Sequence, residues 1–215
     1  MEKKQKLAII GAGELGRQVA HYSELDGHFE IVGYFDDTIR IGELVSGKPI
    51  IGNIEDVLTQ YSNNIYDCLF IAIGYNHFDF KALLYKKVLE HNIPLATIVS
   101  PQVYIDPTAK VGAGTILYPG CIVEKDAVVE DNVAINVNAT IAHNSIVGKH
   151  TFIAGGAVLA GYAQVGERCF VGVNSVINDH IVVCDDVTIG SLTVVGKNIK
   201  KPGVYFNDNR RLFCF

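Results

Sequence analysis

The chain lacks several features that mark large classes of protein. It has no tryptophan and one methionine, and its longest apolar runs, KLAIIGAG and CLFIAIGY, are far shorter than the roughly 20 residues that cross a bilayer. The opening segment MEKKQKLAIIGAG has glycines where a secretory signal requires an apolar block and a cleavage site. We therefore expect no membrane span and no export signal, which indicates a cytoplasmic location.

Cysteine pairs and basic clusters are also missing. The five cysteines include no CxxC pair, and an odd number without an export signal favours free thiols over a disulfide framework. The formal net charge is −5, and no cluster of lysine and arginine is large enough to bind nucleic acid. With 49% hydrophobic and 19% charged residues, the 215-residue chain can bury a core as one large domain or two small ones.

Residues 1–97 alternate strand-like and helix-like segments, which predicts a Rossmann-like α/β domain with a small parallel sheet covered on both faces. The predicted strands are KLAIIGAG, FEIVGYFDD, YDCLFIAIG and PLATIVSP. The predicted helices are ELGRQVAHYSELD, NIEDVLTQYS and DFKALLYKKVLEHN, the second of them capped by Asn53.

Residues 98–199 follow a different rule, in which an aliphatic residue recurs every six positions without interruption. Only a solenoid with six residues on each flat side keeps such a register, because each coil must place the same kind of residue over its neighbour. Three sides make an eighteen-residue coil, and residues 200–215 remain as a tail. The sixteen aliphatic positions are Ile105, Val111, Leu117, Val123, Val129, Ile135, Ile141, Val147, Ile153, Leu159, Val165, Val171, Ile177, Val183, Ile189 and Val195.

The segment GAGELG satisfies the dinucleotide-binding pattern at Gly11, Gly13 and Gly16, between a predicted strand and a predicted helix. Three interpretations follow: an NAD site, a mononucleotide site, or only a tight turn. A sheet domain of about ninety residues is too small for both halves of a dinucleotide site, which favours the nucleotide of a sugar substrate. The helix N-terminus at Glu14 would favour anionic groups, and Asp36 and Asp37 could accept hydrogen bonds from base or ribose.

Several segments together resemble one family: IIGAGELGRQV, YFDD, IAIGYN, NATIAHN, FVGVNSVI and VTIGSLTVVGKNI. They are similar to the bacterial sugar-nucleotide acetyltransferases that N-acetylate 4-amino sugars, and to relatives that O-acetylate sialic acids, among the hexapeptide-repeat acyltransferases. The resemblance implies a left-handed parallel β-helix, a homotrimer, an acetyl-CoA donor and a histidine base at the subunit boundary. It also implies a set of substrate-binding residues: Gly11, Gly13, Glu14, Asp36, Asp37, Gly74, Asn76 and Asn136.

The resemblance assigns the catalytic roles. His143 stands in the setting N-x-x-A-x-I-x-H of the family's base, and Gly161, eighteen residues later, corresponds to the glycine whose amide binds the thioester oxygen. The family commonly follows the histidine with a carboxylate, whereas this chain has Asn144. An amide can orient the imidazole but adds no charge, so the expected base is weaker and suits an amine acceptor better than a hydroxyl.

Two further expectations concern the rest of the solenoid. His150 and His180 are interpreted as solvated corner residues, and their spacing from His143 does not favour a zinc site. Ala154, Gly172 and Gly190 are eighteen residues apart and predict a smooth outward groove for the pantetheine arm of acetyl-CoA. The phosphates are expected near Lys197, Lys200 or Lys201.

The sequence thus predicts acetyl-CoA-dependent N-acetylation of a nucleotide-linked 4-amino-6-deoxy sugar for surface glycan synthesis. The alternatives are O-acetylation of a sialic acid or another sugar hydroxyl, and a non-catalytic scaffold that binds a nucleotide sugar. A homotrimer is also expected, because the positions that face outward on the solenoid are largely apolar. These positions include Ile116, Ile122, Ile146, Phe152, Val158, Phe170, Val176 and Val194.

Overall fold

A computed structural model describes residues 4–207 of the chain. The described residues form two compact units: one runs to Pro101 and includes Gly112–Ile116, and the other comprises Gln102–Val111 and the chain from Leu117 onward. The tail that was predicted for residues 200–215 lies outside the described residues from position 208, as does Cys214.

The first unit is an α/β domain. Its strands are β1 (Gln5–Ile10), β2 (Phe29–Phe35), β3 (Leu44–Val45), β4 (Lys48–Gly52), β5 (Cys68–Ile71) and β6 (Ile98–Val99). Its α-helices are α1 (Glu14–Asp26), α2 (Val57–Ser62) and α3 (Phe78–Glu90), with single 3-10 turns at Ile54–Asp56 and Tyr75–His77. Five strands form one sheet in the order β3-β4-β2-β1-β5, parallel except for the β3–β4 hairpin.

This strand order sets the position of a ligand site. The chain builds outward from β1 through β2 to β4 and then returns to place β5 on the other side of β1. The loops after β1 and β5 therefore diverge, and ligands of open α/β sheets bind at such a switch point.

The second unit is a parallel β-helix with three flat faces. The first face contains β7 (Tyr104–Ile105), β10 (Ile122–Val123), β13 (Thr140–Ile141), β16 (Val158–Leu159), β19 (Val176–Ile177) and β22 (Val194–Val195). The second contains β8 (Lys110–Val111), β11 (Val128–Val129), β14 (Ile146–Val147), β17 (Gln164–Val165) and β20 (Val182–Val183). The third contains β9 (Ile116–Leu117), β12 (Ala134–Ile135), β15 (Phe152–Ile153), β18 (Phe170–Val171), β21 (Val187–Ile189) and β23 (Gly203–Tyr205).

The register between coils is the one that the sequence repeat predicts. Ile122 pairs with Thr140, Thr140 with Val158, and Val158 with Val176, each eighteen residues further along. The repeated aliphatic residues from Leu117 to Val195 are buried, and they are the second residue of nearly every two-residue strand. Burying these side chains stabilises the solenoid by about 1.5–3 kcal/mol for each of them.

A second repeat of six residues lies in the backbone at the corners. Fourteen consecutive corner positions from 114 to 192 have a positive φ, between 52° and 76°. Glycine, asparagine and aspartate, which tolerate this left-handed conformation, occupy most of them. They are Gly114, Gly120, Asp126, Asn132, Asn138, Asn144, His150, Gly156, Tyr162, Arg168, Asn174, His180, Asp186 and Leu192.

Two expectations about exposure are wrong. His150 was expected in solvent, but it is only 5% exposed, and its Nδ1 lies 3.0 Å from Nδ2 of Asn132 in the coil below. Ile116 was expected to face outward, but it is fully buried, beside the Thr115 carbonyl that accepts a hydrogen bond from the Ile98 amide.

The remaining general features concern helix length and cysteines. Within residues 4–207, no helix is both long and apolar enough to cross a membrane.

The four cysteines described by the structure, Cys68, Cys121, Cys169 and Cys184, are free thiols. Burial raises the pKa of Cys68 to about 12 and those of Cys121 and Cys169 to about 11, so these thiols are poor nucleophiles.

Candidate functional site

The glycine loop after β1 contains glycines of two kinds. Gly11 and Gly16 are required by packing: a Cβ on Gly11 would lie 2.8 Å from the Ala72 carbonyl oxygen, and one on Gly16 would overlap the Gly11 carbonyl oxygen. These two residues bring β1, β5 and α1 together.

Gly13 and Gly74 have no such reason to be glycine. Gly13 precedes α1 with φ −70°, Gly74 precedes the 3-10 turn after β5 with φ −72°, and a Cβ on either would meet nothing within 4 Å. Any residue can adopt these backbone angles. The open space above the ends of β1 and β5 is therefore where a ligand could approach the backbone, at the switch point of the sheet.

Asp36 stabilises the loops after β1 and β2, a role that was not predicted from the sequence. Its Oδ2 accepts a hydrogen bond from the Ala12 amide at 2.8 Å, and its Oδ1 accepts from the amide and the hydroxyl of Thr38. Burial raises the pKa of this carboxyl, but the hydrogen bonds from Thr38, Ala12 and Ile39 outweigh burial and hold the pKa below its usual value. Both oxygens of Asp36 thus already accept hydrogen bonds: Oδ2 from the glycine loop and Oδ1 from Thr38.

Asp37 is the more available of the two carboxylates. It is exposed, and its Oδ1 accepts a hydrogen bond from the Ile54 amide at 2.8 Å. It lines a cavity of about 260 Å³ with Asn53 and Glu55, two polar residues that sequence reasoning did not assign to the site. Glu14, in the first turn of α1, and Asn76, in the turn after β5, stand at the same edge of the sheet.

The solenoid contributes a separate group of residues at one corner. The His143 column is defined as Lys125, His143, Gly161, Asp179 and Lys197, which occupy the same corner position in successive coils, eighteen residues apart. The imidazole of His143 is exposed and lies directly over Gly161, where a Cβ would be only 2.6 Å from Cε1 and 2.7 Å from Nε2. Glycine at position 161 is therefore a condition for the observed position of the ring.

Asn144 is the side chain beside Nδ1 of the ring. Its Oδ1 lies 3.3 Å from Nδ1 of His143, and a carbonyl oxygen can only accept. In the tautomer that donates from Nδ1 to this oxygen, the lone pair of Nε2 is the one that can accept a proton. Asparagine also suits the backbone at this position, where φ is 59°.

The Gly161 amide lies at the same corner. Among residues 4–207, no acceptor is hydrogen-bonded to this amide, whereas the His143 amide donates to Oε2 of Glu124 at 2.9 Å. Sequence reasoning missed Glu124, which lies nineteen residues before His143. The same contact joins the Lys149 amide to Glu130, so it recurs in the solenoid and is not restricted to the candidate site.

Aromatic rings adjoin His143 on the coil above. The ring of Tyr162 stands nearly perpendicular to the imidazole, with centroids 5.4 Å apart, and stacks on the ring of His180 at 4.7 Å. His180 is exposed, as expected, but it is not isolated in solvent. The spacing of Tyr162 from Asn144 is eighteen, so the repeat alone could have placed it beside the histidine.

The predicted groove at Gly172 and Gly190 is wrong in its geometry. A Cβ on Gly172 would lie 2.5 Å from the Ser191 amide nitrogen and 2.7 Å from the Gly190 carbonyl carbon, so glycine there permits the close approach of the next coil. Gly190 is half-buried, and a Cβ there would lie 3.1 Å from Cβ of Phe206. Coil stacking, rather than an open track on the surface, explains both glycines.

Lys197 instead shares the corner of His143 and Gly161. It is three coils above His143, about 14 Å along the solenoid axis at ordinary strand spacing. It lines a cavity of about 470 Å³ in the last coil together with Thr193, Tyr205 and Phe206.

Asn136 lies at a different corner. It follows β12 on the third face, whereas His143 follows β13 on the first, and its Oδ1 accepts a hydrogen bond from the Val137 amide at 2.7 Å. One flat side of the coil separates the two residues, so the structure does not bring them together within one chain. No group of three or more potential metal ligands occurs in the described part of the chain.

Comparison with protein families gives a match for each unit. The PglD N-terminal domain family matches residues 6–79, and the GMPPB C-terminal domain family matches residues 99–205. A search of curated proteins found no significant match to the sequence.

Three solved structures are similar over almost the whole chain. The acetyltransferase domain of PglB from Neisseria gonorrhoeae in complex with acetyl coenzyme A is 25% identical with a TM-score of 0.87, covering 95% of this chain and 97% of its own. PerB from Caulobacter crescentus in complex with CoA and GDP-perosamine is 23% identical with a TM-score of 0.87, covering 94% of each chain. WeeI from Acinetobacter baumannii is 18% identical with a TM-score of 0.80, covering 94% and 96%. The predicted fold class, a Rossmann-like domain followed by a left-handed parallel β-helix, is confirmed.

Proposed function

Because the chain has the two-domain fold of the hexapeptide-repeat sugar acetyltransferases and a first domain of the PglD N-terminal type, we propose that it is an acetyl-CoA-dependent sugar N-acetyltransferase. The proposed acceptor is the amino group of a nucleotide-linked 4-amino-6-deoxy sugar, and the proposed role is surface glycan synthesis in the cytoplasm. The observation that carries the proposal is the corner at which an exposed imidazole lies over Gly161.

The chemistry requires a base and an oxyanion donor. When the sugar amine attacks the thioester carbonyl, the nitrogen becomes an ammonium and the carbonyl oxygen becomes negative. Nε2 of His143 takes the proton from this nitrogen, and the Gly161 amide donates to the oxyanion. The C–S bond then breaks, and coenzyme A leaves as the thiolate, which takes the proton from the His143 imidazolium and restores the neutral base.

The donor would follow the His143 column. Its acetyl group would lie at Gly161, and its phosphates would pair with Lys197 in the last coil. The cavity at Thr193, Tyr205 and Phe206 offers apolar walls for the adenine ring. This arrangement replaces the groove that the sequence suggested at Gly172 and Gly190.

The acceptor nucleotide is proposed to bind the first unit. The open edge at Gly13 and Gly74 lets phosphate groups approach the N-terminus of α1, where amides and the helix dipole favour negative charge. Asp37, which is exposed and accepts a hydrogen bond from the Ile54 amide through Oδ1, is the proposed partner of base or ribose, while Asp36 holds the loop through its bond to Ala12.

The nucleotide site predicts a specific effect of Gly13→Asp. Aspartate is a favoured N-cap residue, so the variant should melt at the same temperature as wild type or higher. Its carboxylate would accept hydrogen bonds from the amides at the N-terminus of α1 and would repel phosphate. We therefore expect affinity for the sugar nucleotide to fall at least about tenfold. Calorimetric titration checks this, with Gly13→Asn as the uncharged control that should lose less. An unchanged dissociation constant for Gly13→Asp would place the nucleotide elsewhere.

A homotrimer is proposed from the half-exposed apolar side chains on the solenoid faces, including the stacked rings of Phe152 and Phe170. A ligand that touches both Asn136 and His143 would also need the facing corner of another copy, because one flat side separates the two residues in each chain. Light scattering at micromolar concentration should give about 70 kDa, three times the chain mass of 23.4 kDa. A mass near that of one chain would contradict the proposal.

The direct test is a panel of UDP-, GDP- and dTDP-linked amino sugars incubated with acetyl-CoA, with released thiol as the readout. Three of the protein's own thiols are buried, and a blank without sugar corrects for the others. Mass spectrometry with mild alkali separates the classes, since an amide product is retained and an ester is hydrolysed. Absence of thiol release with every sugar, combined with retained sugar-nucleotide binding, would instead favour the non-catalytic scaffold.

A further inference from the structure

Tyr162 occupies a backbone position that disfavours its side chain. It is one of the corner residues with left-handed backbone, with φ of 58°, and most other corners carry glycine, asparagine or aspartate. A bulky residue is strained in this conformation, and such strain concentrates at functional sites. The side chain is 46% exposed, so burial in the solenoid core does not explain its presence.

The contacts of Tyr162 lead to the proposed base. Its amide donates to the His143 carbonyl at 3.0 Å, and its ring stands at 86° to the imidazole with centroids 5.4 Å apart. On the next coil, His180 stacks on Tyr162 at 4.7 Å and 9°, again from a left-handed corner with φ of 57°. Two aromatic residues at left-handed corners thus form one stack beside His143.

Little else restrains the imidazole. The His143 side chain is exposed, its bond to Asn144 is long at 3.3 Å, and Gly161 offers a flat surface with no side chain. Rotation of the ring away from this surface is opposed on the upper side by Tyr162. The interaction energy of an edge-to-face pair of rings is large enough to change the population of a side-chain orientation severalfold.

We propose that Tyr162, supported by the stacked ring of His180, is a positioning residue that holds the His143 imidazole over Gly161 with Nε2 directed at the reacting amine. The inference rests on the proposed role of His143 as the base. Neither ring needs to touch the substrate, since the effect passes through the orientation of the imidazole.

The decisive variant is Tyr162→Asn, which relieves backbone strain while removing the ring. We expect kcat to fall about 3- to 10-fold with KM unchanged for both substrates, and Tm to stay the same or rise. Tyr162→Phe keeps the ring and should stay within about twofold of wild type, because the hydroxyl has no part in the stack. His180→Asn should lower kcat in the same direction but less.

Leu192→Asn is the matched control. Leu192 has the same backbone conformation, with φ of 57°, and is 65% exposed. Its replacement should raise or preserve Tm without changing kcat. If Tyr162→Asn and Leu192→Asn have the same kcat, the proposed positioning role is wrong.

A crystal structure of Tyr162→Asn supplies a readout that does not depend on turnover. We expect the His143 imidazole to occupy more than one orientation in the variant and one in wild type. A single unchanged orientation in the variant overturns the inference whatever its kcat. Failure of the proposed function would appear differently, as a wild-type protein that does not transfer acetyl groups. The orientation of the His143 ring in the two crystal structures would still decide whether Tyr162 positions it.

Discussion

His143→Ala is expected to lower kcat for acetyl transfer by about 10²–10⁴-fold, the usual contribution of a general base. The fold should be preserved, because the imidazole is exposed and the backbone of the corner stays hydrogen-bonded, including the bond from the His143 amide to the Glu124 carboxylate. Affinity for the sugar nucleotide should also be unchanged, since its proposed phosphate site lies at the glycine loop of the first unit. Steady-state kinetics, thermal melting and calorimetric titration measure the three quantities.

Lys125→Ala is the control for this variant. Lys125 occupies the same column one coil below His143 and is exposed, so its replacement perturbs the same corner without removing the ring. It should retain wild-type kcat. If His143→Ala kept kcat within about threefold of wild type, another group would have to accept the proton.

Gly161→Ala is expected to have the second largest effect, with kcat falling by at least tenfold and up to the level of His143→Ala. The new methyl group would lie 2.6 Å from Cε1 of His143, so the imidazole must leave its place over the corner. The fold should tolerate the change, because the displaced group is an exposed side chain and the backbone of Gly161 is not left-handed. Steady-state kinetics and melting curves test both statements.

Gly155→Ala provides the matched control. Gly155 holds the same place at another corner of the solenoid, and a Cβ there would lie 3.3 Å from Cγ2 of Val137, a contact that a small shift can accommodate. This variant should be as stable as Gly161→Ala but fully active. Equal kcat for the two variants would show that the position of the imidazole is not limiting.

The double variant His143→Ala with Gly161→Ala separates two roles of the glycine. Alanine retains the amide that is proposed to bind the oxyanion, so the substitution acts only through the ring. The double variant should therefore lose no more activity than His143→Ala alone. A further loss on combining the two would mean that the methyl group disturbs the donor itself.

Much of the fold could be predicted from single elements. Helix α1 spans Glu14–Asp26, the segment ELGRQVAHYSELD that helical spacing indicated, and the coil length of eighteen follows from the aliphatic repeat. The hairpin of β3 and β4 was missed, because these short strands owe their conformation to pairing with each other and with β2. The predicted strand PLATIVSP is reduced to Ile98–Val99 and one isolated bridge at Leu95.

The candidate site was predictable where it follows the repeat and unpredictable where it depends on contacts between coils. His143 and Gly161 are eighteen residues apart, and register alone stacks them. Gly172 and Gly190 have the same spacing, yet only the structure shows that the next coil and Phe206 fill the space above them. Asp36 was expected to face a ligand, but its oxygens accept bonds from Ala12 and Thr38.

The sequence by itself determined the class of each half of the protein, because the spacing of apolar residues records which face of every element must be buried. It also determined which residues share a corner, because a solenoid converts a fixed separation along the chain into a fixed position in space. Tertiary structure alone decided the direction in which corner side chains and amides point, and what lies against them. Those details depend on backbone angles and on packing between residues far apart in sequence, and they make Tyr162 a neighbour of His143 while His150 is buried against Asn132.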